Sequence, residues 1–194
     1  MANNTQICID DEIPFEIPMN WTWCNLENIV ELINGDRGKN YPAKSKLSSE
    51  SGIPFISAIN LKNGEIFEDN LLFMNQKQYD LLSRGKLKKD DLIFCLRGSL
   101  GKNAICNIEK GAIASSLVIL RRYSSDINLK YIFYYLNSNL LSNEIKKYNN
   151  GTAQPNLSAS NLKKFYIPIP PFNEQKEIVN KIEEILSKIK ILNI

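Results

Sequence analysis

A chain of 194 residues with 43% hydrophobic content is long enough for one domain with a proper core plus an appendage, and its lack of any histidine argues against zinc sites and histidine-based acid–base or triad chemistry. It has no run of about 18 apolar residues, and residues 1–10 have neither a basic region nor an apolar stretch, so neither a membrane span nor a secretory signal is expected and the reading is cytoplasmic. The net charge of +3 is uneven: residues 1–20 hold Asp10, Asp11, Glu12 and Glu16 without a Lys or Arg, leaving 24 basic against 17 acidic residues in the remainder, or +7, a balance that permits nucleic-acid binding.

Residues 1–13 read as a flexible leader, and Ile13-Pro14-Phe15-Glu16-Ile17-Pro18 as an extended, proline-braced segment. It leads to Trp21 and Trp23, whose i, i+2 spacing puts both indoles on one face of an extended chain. Asn25 caps a predicted short helix carrying Leu26, Ile29, Val30 and Ile33, closed by Asn34-Gly35. Residues 36–52 are polar and rich in lysine and serine, without an apolar period, and form a loop. Residues 53–59 read as a strand, and Lys62-Asn63-Gly64-Glu65 as a turn into Ile66-Phe67. Asn75 with Gln78 has the form of a capping box opening a helix that includes Tyr79 and Leu82 and stops at Gly85.

Residues 91–96 and 104–108 are predicted strands flanking Arg97-Gly98-Ser99-Leu100-Gly101-Lys102, and residues 112–120 a third, almost wholly apolar, strand. The cysteines, at 8, 24, 95 and 106, form no C-x-x-C pair; Cys95 and Cys106 lie in these apolar runs and read as buried thiols. Asn128 caps a longer helix with Leu129, Ile132, Phe133, Leu136 and Leu140 on one face, ending near Asn149-Asn150-Gly151. Residues 165–169 form a last strand, which Pro170-Pro171 forbids from continuing. A helix follows from Asn173. The expected fold class is α+β: a compact domain over residues 14–170 with a mixed or antiparallel sheet and short helices, then a coiled-coil-type helix over residues 171–194.

Gly98 to Lys102 does not fit a nucleotide-binding loop. Two residues rather than four separate its glycines, and Asn103 replaces the magnesium-holding Ser or Thr. A tight turn between strands fits better, with Arg97 and Lys102 placed to reach phosphates or guanine edges. Ile169-Pro170-Pro171-Phe172 lacks the Asp, Asn or Ser that opens the catalytic tetrapeptide of amino-methylating DNA methyltransferases, so the prolines form an elbow instead. Ile178, Ile182, Ile185, Ile189 and Leu192 recur at steps of four and three, the seam of a helix pair. That pattern runs to the last residues without a cap, so the helix is expected to be completed by a partner or by further turns. In Gly151-Thr152-Ala153-Gln154-Pro155-Asn156, Gln154 and Asn156 can each bind adenine through two hydrogen bonds, and Thr152 can meet a thymine methyl or a phosphate.

The ordered set Pro14-Phe15-Glu16-Ile17-Pro18, Trp21-Thr22-Trp23 with Leu26, Ile53-Pro54-Phe55-Ile56 with Asn60, Asp91-Leu92-Ile93-Phe94, Gly98 to Lys102, Gly151 to Pro155 with Leu157, and Ile167 to Gln175 resembles the DNA specificity subunits of Type I restriction–modification systems. The resemblance implies a non-catalytic subunit. Such subunits carry two target recognition domains, each reading half of a split site, separated by long helices that act as a ruler and dock two methyltransferase subunits. This sequence matches one recognition domain and part of one spacer helix, half of such a subunit. The implied partners are double-stranded DNA, methyltransferase subunits, restriction subunits indirectly, and a second copy or half-subunit paired through the helix. The chain itself is expected to hold no metal or cofactor, with S-adenosylmethionine and ATP on partner subunits. The residues expected at DNA are Lys39, Lys44, Arg97, Ser99, Lys102, Thr152, Gln154 and Asn156. A competing expectation is a protein–protein scaffold without DNA readout of its own.

Overall fold

Unbroken apolar runs at residues 92–96 and 117–120 require partners on both faces of a sheet, and the fold supplies them. The computed structural model describes residue 13 and residues 15–147 and 156–192, of Lys147 and Leu192 the backbone alone. In chain order the strands are β1 (Thr22–Asn25), β2 (Val30–Asn34), β3 (Ile53–Ile56), β4 (Leu61–Lys62), β5 (Glu65–Ile66) and β6 (Leu72–Met74). Helix α1 (Gln76–Leu81) is followed by β7 (Lys86–Leu87), β8 (Leu92–Cys95), β9 (Asn103–Ile105), β10 (Gly111–Ile113) and β11 (Leu117–Arg122). Helices α2 (Leu129–Leu136), α3 (Asn139–Lys147) and α4 (Ala159–Leu162), strand β12 (Tyr166–Ile169) and the long helix α5 (Phe172–Leu192) complete the described residues.

The central sheet, ordered β2-β11-β8-β9, is antiparallel throughout. On one face Leu92, Phe94, Leu96, Val118 and Leu120 pack with residues of α2, β12 and α5; on the other Ile93, Cys95, Leu117 and Ile119 pack with Ile56, Leu87 and Ile113. The latter belong to a mixed sheet ordered β6-β3-β10-β7, in which β10 runs parallel to β3 and antiparallel to β7. Its far side carries a smaller core of Phe55, Met74, Leu82 and Ala112. The layers are therefore helices, antiparallel sheet and mixed sheet, an α+β architecture with mixed and antiparallel sheets as the sequence predicts.

One ion pair ties the two sheets. Asp91, 3% exposed, takes Arg121 Nε on Oδ1 at 2.9 Å and Nη2 on Oδ2 at 2.7 Å. Arg121 Nη2 also donates to the Lys86 carbonyl of β7 at 3.0 Å.

Three predicted elements come out differently. The helix over residues 25–34 is a 3-10 turn, Leu26–Asn28, followed by strand β2. Val30 and Ile33 are β-branched and favour an extended chain, and β11 offers a five-pair ladder from Val30 opposite Arg122 to Asn34 opposite Val118. Gly35 ends that strand by close approach rather than as a helix cap: a Cβ there would lie 2.4 Å from the Ala114 carbonyl oxygen.

The apolar run 112–120 is two strands, not one. A corner at Ser115-Ser116, closed by Leu117 N–H donating to Ala114 O at 3.0 Å, sends β10 into the mixed sheet and β11 into the central one. The helix from Asn128 breaks between α2 and α3, because Asn137 turns its amide onto Phe133 O at 2.7 Å and onto the buried Asn103 side chain at 2.8 Å. Smaller shifts follow the same logic. The strand at 53–59 yields after Ile56 to a 3-10 turn, Ala58–Asn60, and Asn75 caps Gln78 N–H while Gln78 reaches Asn40 O instead of closing the box.

Candidate nucleic-acid interface

The turn between β8 and β9 is built by its glycines and its backbone. Gly98 (φ 77°) and Gly101 (φ 87°) take the left-handed conformations a tight reversal demands. Gly101 N–H donates to Cys95 O at 3.0 Å and Cys95 N–H to Lys102 O at 2.8 Å. Arg97, Ser99 and Lys102 are thereby held on one short turn, with Arg97 and Lys102 exposed. The chain returns beside it: Asn156 bridges antiparallel to Arg97, and Leu157 N–H donates to Leu96 O at 3.0 Å. Thr152 and Gln154 lie outside the described residues. A groove of about 470 Å³ runs from Gly98–Gly101 to Leu136, Asn137, Ile145 and Lys146.

Lys39 and Lys44 are exposed on the loop after β2, Lys44 opening a 3-10 turn, Lys44–Lys46. Asp36 fastens that loop. Its Oδ1 accepts from Gly38 N–H at 2.7 Å, and its Oδ2 from Ser83 N–H at 2.8 Å and the Ser83 hydroxyl at 2.9 Å. Burial alone would raise the Asp36 carboxyl, but these hydrogen bonds and the charge of Arg84 outweigh it and hold it below its ordinary value. A depressed carboxyl stabilises the fold above its unfolded pKa and loses that contribution as pH falls through the folded value. Asp36→Asn is therefore expected to be less stable at neutral pH and to lose less stability than the parent on acidification below about pH 4, as read by urea unfolding across a pH series. Equal acid sensitivity in both proteins would remove this role.

Two further arginines stand here, Arg37 and Arg84, that are not among the residues expected at DNA. The corner at residues 113–117 is the hub. Arg37 Nη2 donates to Ser115 O at 2.9 Å, Leu96 N–H to Ser116 O at 2.9 Å, Ile113 N–H to Gly85 O at 3.0 Å and Gly35 N–H to Leu117 O at 3.2 Å. A Cβ on Gly85 would lie 2.9 Å from Gly35 Cα, so the loops carrying Arg37 and Arg84 touch. The signal was present: Arg37, Arg84 and Arg97 are each followed by glycine.

Among the described residues the cysteines are Cys24, Cys95 and Cys106, none of them exposed. Burial pushes Cys24 and Cys106 up to about 11, away from nucleophilic reactivity, and raises Cys95 as well.

Helix α5 leaves the domain from a buried anchor. Gln175, 1% exposed, accepts Asn128 N–H at 2.8 Å and donates to Pro170 O at 2.9 Å and Asp126 O at 3.1 Å. Glu174 takes the Trp21 indole N–H at 3.0 Å, whereas Trp23 packs edge-on against Phe15. The predicted seam divides along the helix. Ile178 packs against the domain core beside the buried Val179, and Ile182 is half-buried. Ile185 and Ile189 are 47% and 46% exposed, with Leu186 and Ile191 also open; the Leu192 side chain lies outside the described residues. No helix among the described residues is long and apolar enough to cross a membrane.

Comparison with known proteins places this architecture. The family model described as the Type I restriction modification DNA specificity domain matches residues 18–193. The chain is 29% identical to the EcoEI specificity subunit of Escherichia coli, over 90% of this chain and 30% of that one. It is 26% identical to the MjaVIII specificity subunit of Methanocaldococcus jannaschii, over 91% and 42%. In solved structures it resembles the HsdS subunit of Thermoanaerobacter tengcongensis, with a TM-score of 0.72, 20% identity and coverage of 94% of this chain and 41% of that one. The chain thus spans less than half the length of these relatives.

Proposed function

This chain belongs to the Type I restriction–modification DNA specificity domain family, and on that premise we propose that it reads one half-site of a split DNA target and docks methyltransferase subunits through α5. The observation that carries this reading is the bridge of Asn156 to Arg97 at the Arg97–Lys102 turn, next to the corner at Ser115-Ser116 on which both that turn and Arg37 are fastened. Lys39, Lys44, Arg97, Ser99 and Lys102 supply contacts to the duplex, and Thr152, Gln154 and Asn156 offer groups suited to base edges. The open distal stripe of α5, Ile185 and Ile189, supports pairing with a second copy or half-subunit; two identical heads about a two-fold axis then imply a palindromic split target. The chain performs no chemistry in this reading. Methyl donor and ATP are held by partner subunits, and restriction subunits join indirectly.

Methylation mapping of a genome co-expressing this chain with its methyltransferase is expected to show a two-part motif with identical, inverted halves. Within the assembled complex, Gln154→Ala is expected to weaken recognition at one base position by about 1–3 kcal/mol. If both Arg97→Ala and Gln154→Ala bind the mapped site as the parent does, the contact assignment fails.

A further inference from the structure

The chain has five arginines, at 37, 84, 97, 121 and 122. Arg121 is paired with Asp91, and Arg122 donates to the Ile127 carbonyl at 3.2 Å. The other three are the arginines followed by glycine; all are exposed, and none forms an ion pair among the described residues. Their loops hang from the same corner: Arg37 from Ser115, the Arg84 loop from Ile113 through Gly85, and the Arg97 loop from Ser116 through Leu96. The guanidinium of Arg37 is lowered from its ordinary value first by burial and then by the positive charges of Arg97 and Arg84. The carboxylate between two of these loops, Asp36, has both oxygens taken by Gly38 and Ser83. Its charge acts on Arg84 as well, so three cations stand against one carboxylate, and the remaining net positive charge gains from an anion brought among them.

We propose that Arg37, Arg84 and Arg97 together seat one backbone phosphate of the bound DNA, an inference that rests on the DNA-recognition reading above. A guanine edge presents N7 and O6 and is satisfied by one guanidinium, whereas a phosphate carries a full charge and oxygens that accept from several donors at once. Arg37 moreover has one nitrogen committed to Ser115, which leaves it suited to share an anion rather than to fork onto a base. The seat would set the register of the head on the duplex and carry no sequence information.

The test uses the chain assembled with its methyltransferase, fluorescence anisotropy on a mapped-site duplex and several scrambled duplexes, and a KCl series. Arg37→Gln, Arg84→Gln and Arg97→Gln are each expected to weaken binding at least about tenfold on every duplex alike. Because one phosphate is shared, the triple variant should flatten the salt slope by only about 0.9 in all, the value for one neutralised phosphate. The corresponding lysine variants should keep most of that slope. Loss confined to one base position would make the cluster a base reader and overturn the seat, as would affinities and slopes unchanged in all three variants. Absence of DNA binding by the parent assembly would instead sink the DNA-recognition reading itself.

Discussion

Asp91→Ala is expected to lower the unfolding free energy by about 3–5 kcal/mol, the cost of breaking a buried ion pair by removing one partner. Asp91 is 3% exposed and satisfies three donors: Arg121 Nε, Arg121 Nη2 and Lys88 N–H, the last at 2.7 Å. Alanine leaves the guanidinium, whose side chain is only 24% exposed, with the Lys86 carbonyl and the charge of Glu31 as its remaining partners. The loss should be cooperative, because the pair joins β8 and β11 of the central sheet to β7 of the mixed one. Replacing both partners together, as Asp91→Leu with Arg121→Met, removes the orphaned charge and should cost less than the single change. Urea unfolding of the three proteins checks both statements. A single-variant loss below about 1 kcal/mol would mean the pair is no better than a surface salt bridge.

Gln175→Leu is the second change with a large expected effect. Leucine occupies a comparable volume but offers no polar atom where glutamine satisfies Asn128 N–H, Pro170 O and Asp126 O. Each buried group left unpaired costs about 1–3 kcal/mol, and Asp126 is exposed and recovers its bond from water, so the two remaining groups cost about 2–6 kcal/mol. Asn128 is the N-cap of α2, so the loss falls on the start of that helix as well as on the root of α5. Hydrogen exchange should show faster opening at residues 126–130 and 171–176, with β8 and β11 protected as before. Uniform acceleration over all elements would instead assign Gln175 to the global core.

The α+β class, the strands β3, β8, β9 and β12, the caps at Asn75 and Asn128 and the long terminal helix follow from apolar spacing and turn residues that act locally. What spacing misread was decided by distant partners. Leu26, Ile29, Val30 and Ile33 fit a helical period, yet β11 turns the second half of that segment into a strand. Residues 112–120 look continuous because both halves are buried in sheets, and only Ser115-Ser116 marks the corner between them. Of the residues expected at DNA, Arg97, Ser99, Lys102 and Asn156 meet at one turn because they flank a single hairpin and its returning strand. Arg37 and Arg84 are not among the residues expected at DNA, because charge runs alone do not say which lysines and arginines share a place. Forty-odd residues separate them in sequence, and the Asp36–Ser83 bonds, the contact of Gly35 with Gly85 and the shared corner bring them together.

All the tethers on the 113–117 corner end on main-chain atoms: the carbonyls of Ser115, Ser116 and Leu117 and the amide of Ile113. Such attachment points exist whatever side chain is present. Beyond Gly35, Asp36, Arg37 and Gly85, which hold these loops by close approach or by their side chains, the surrounding positions are therefore open to replacement while the scaffold beneath keeps its shape.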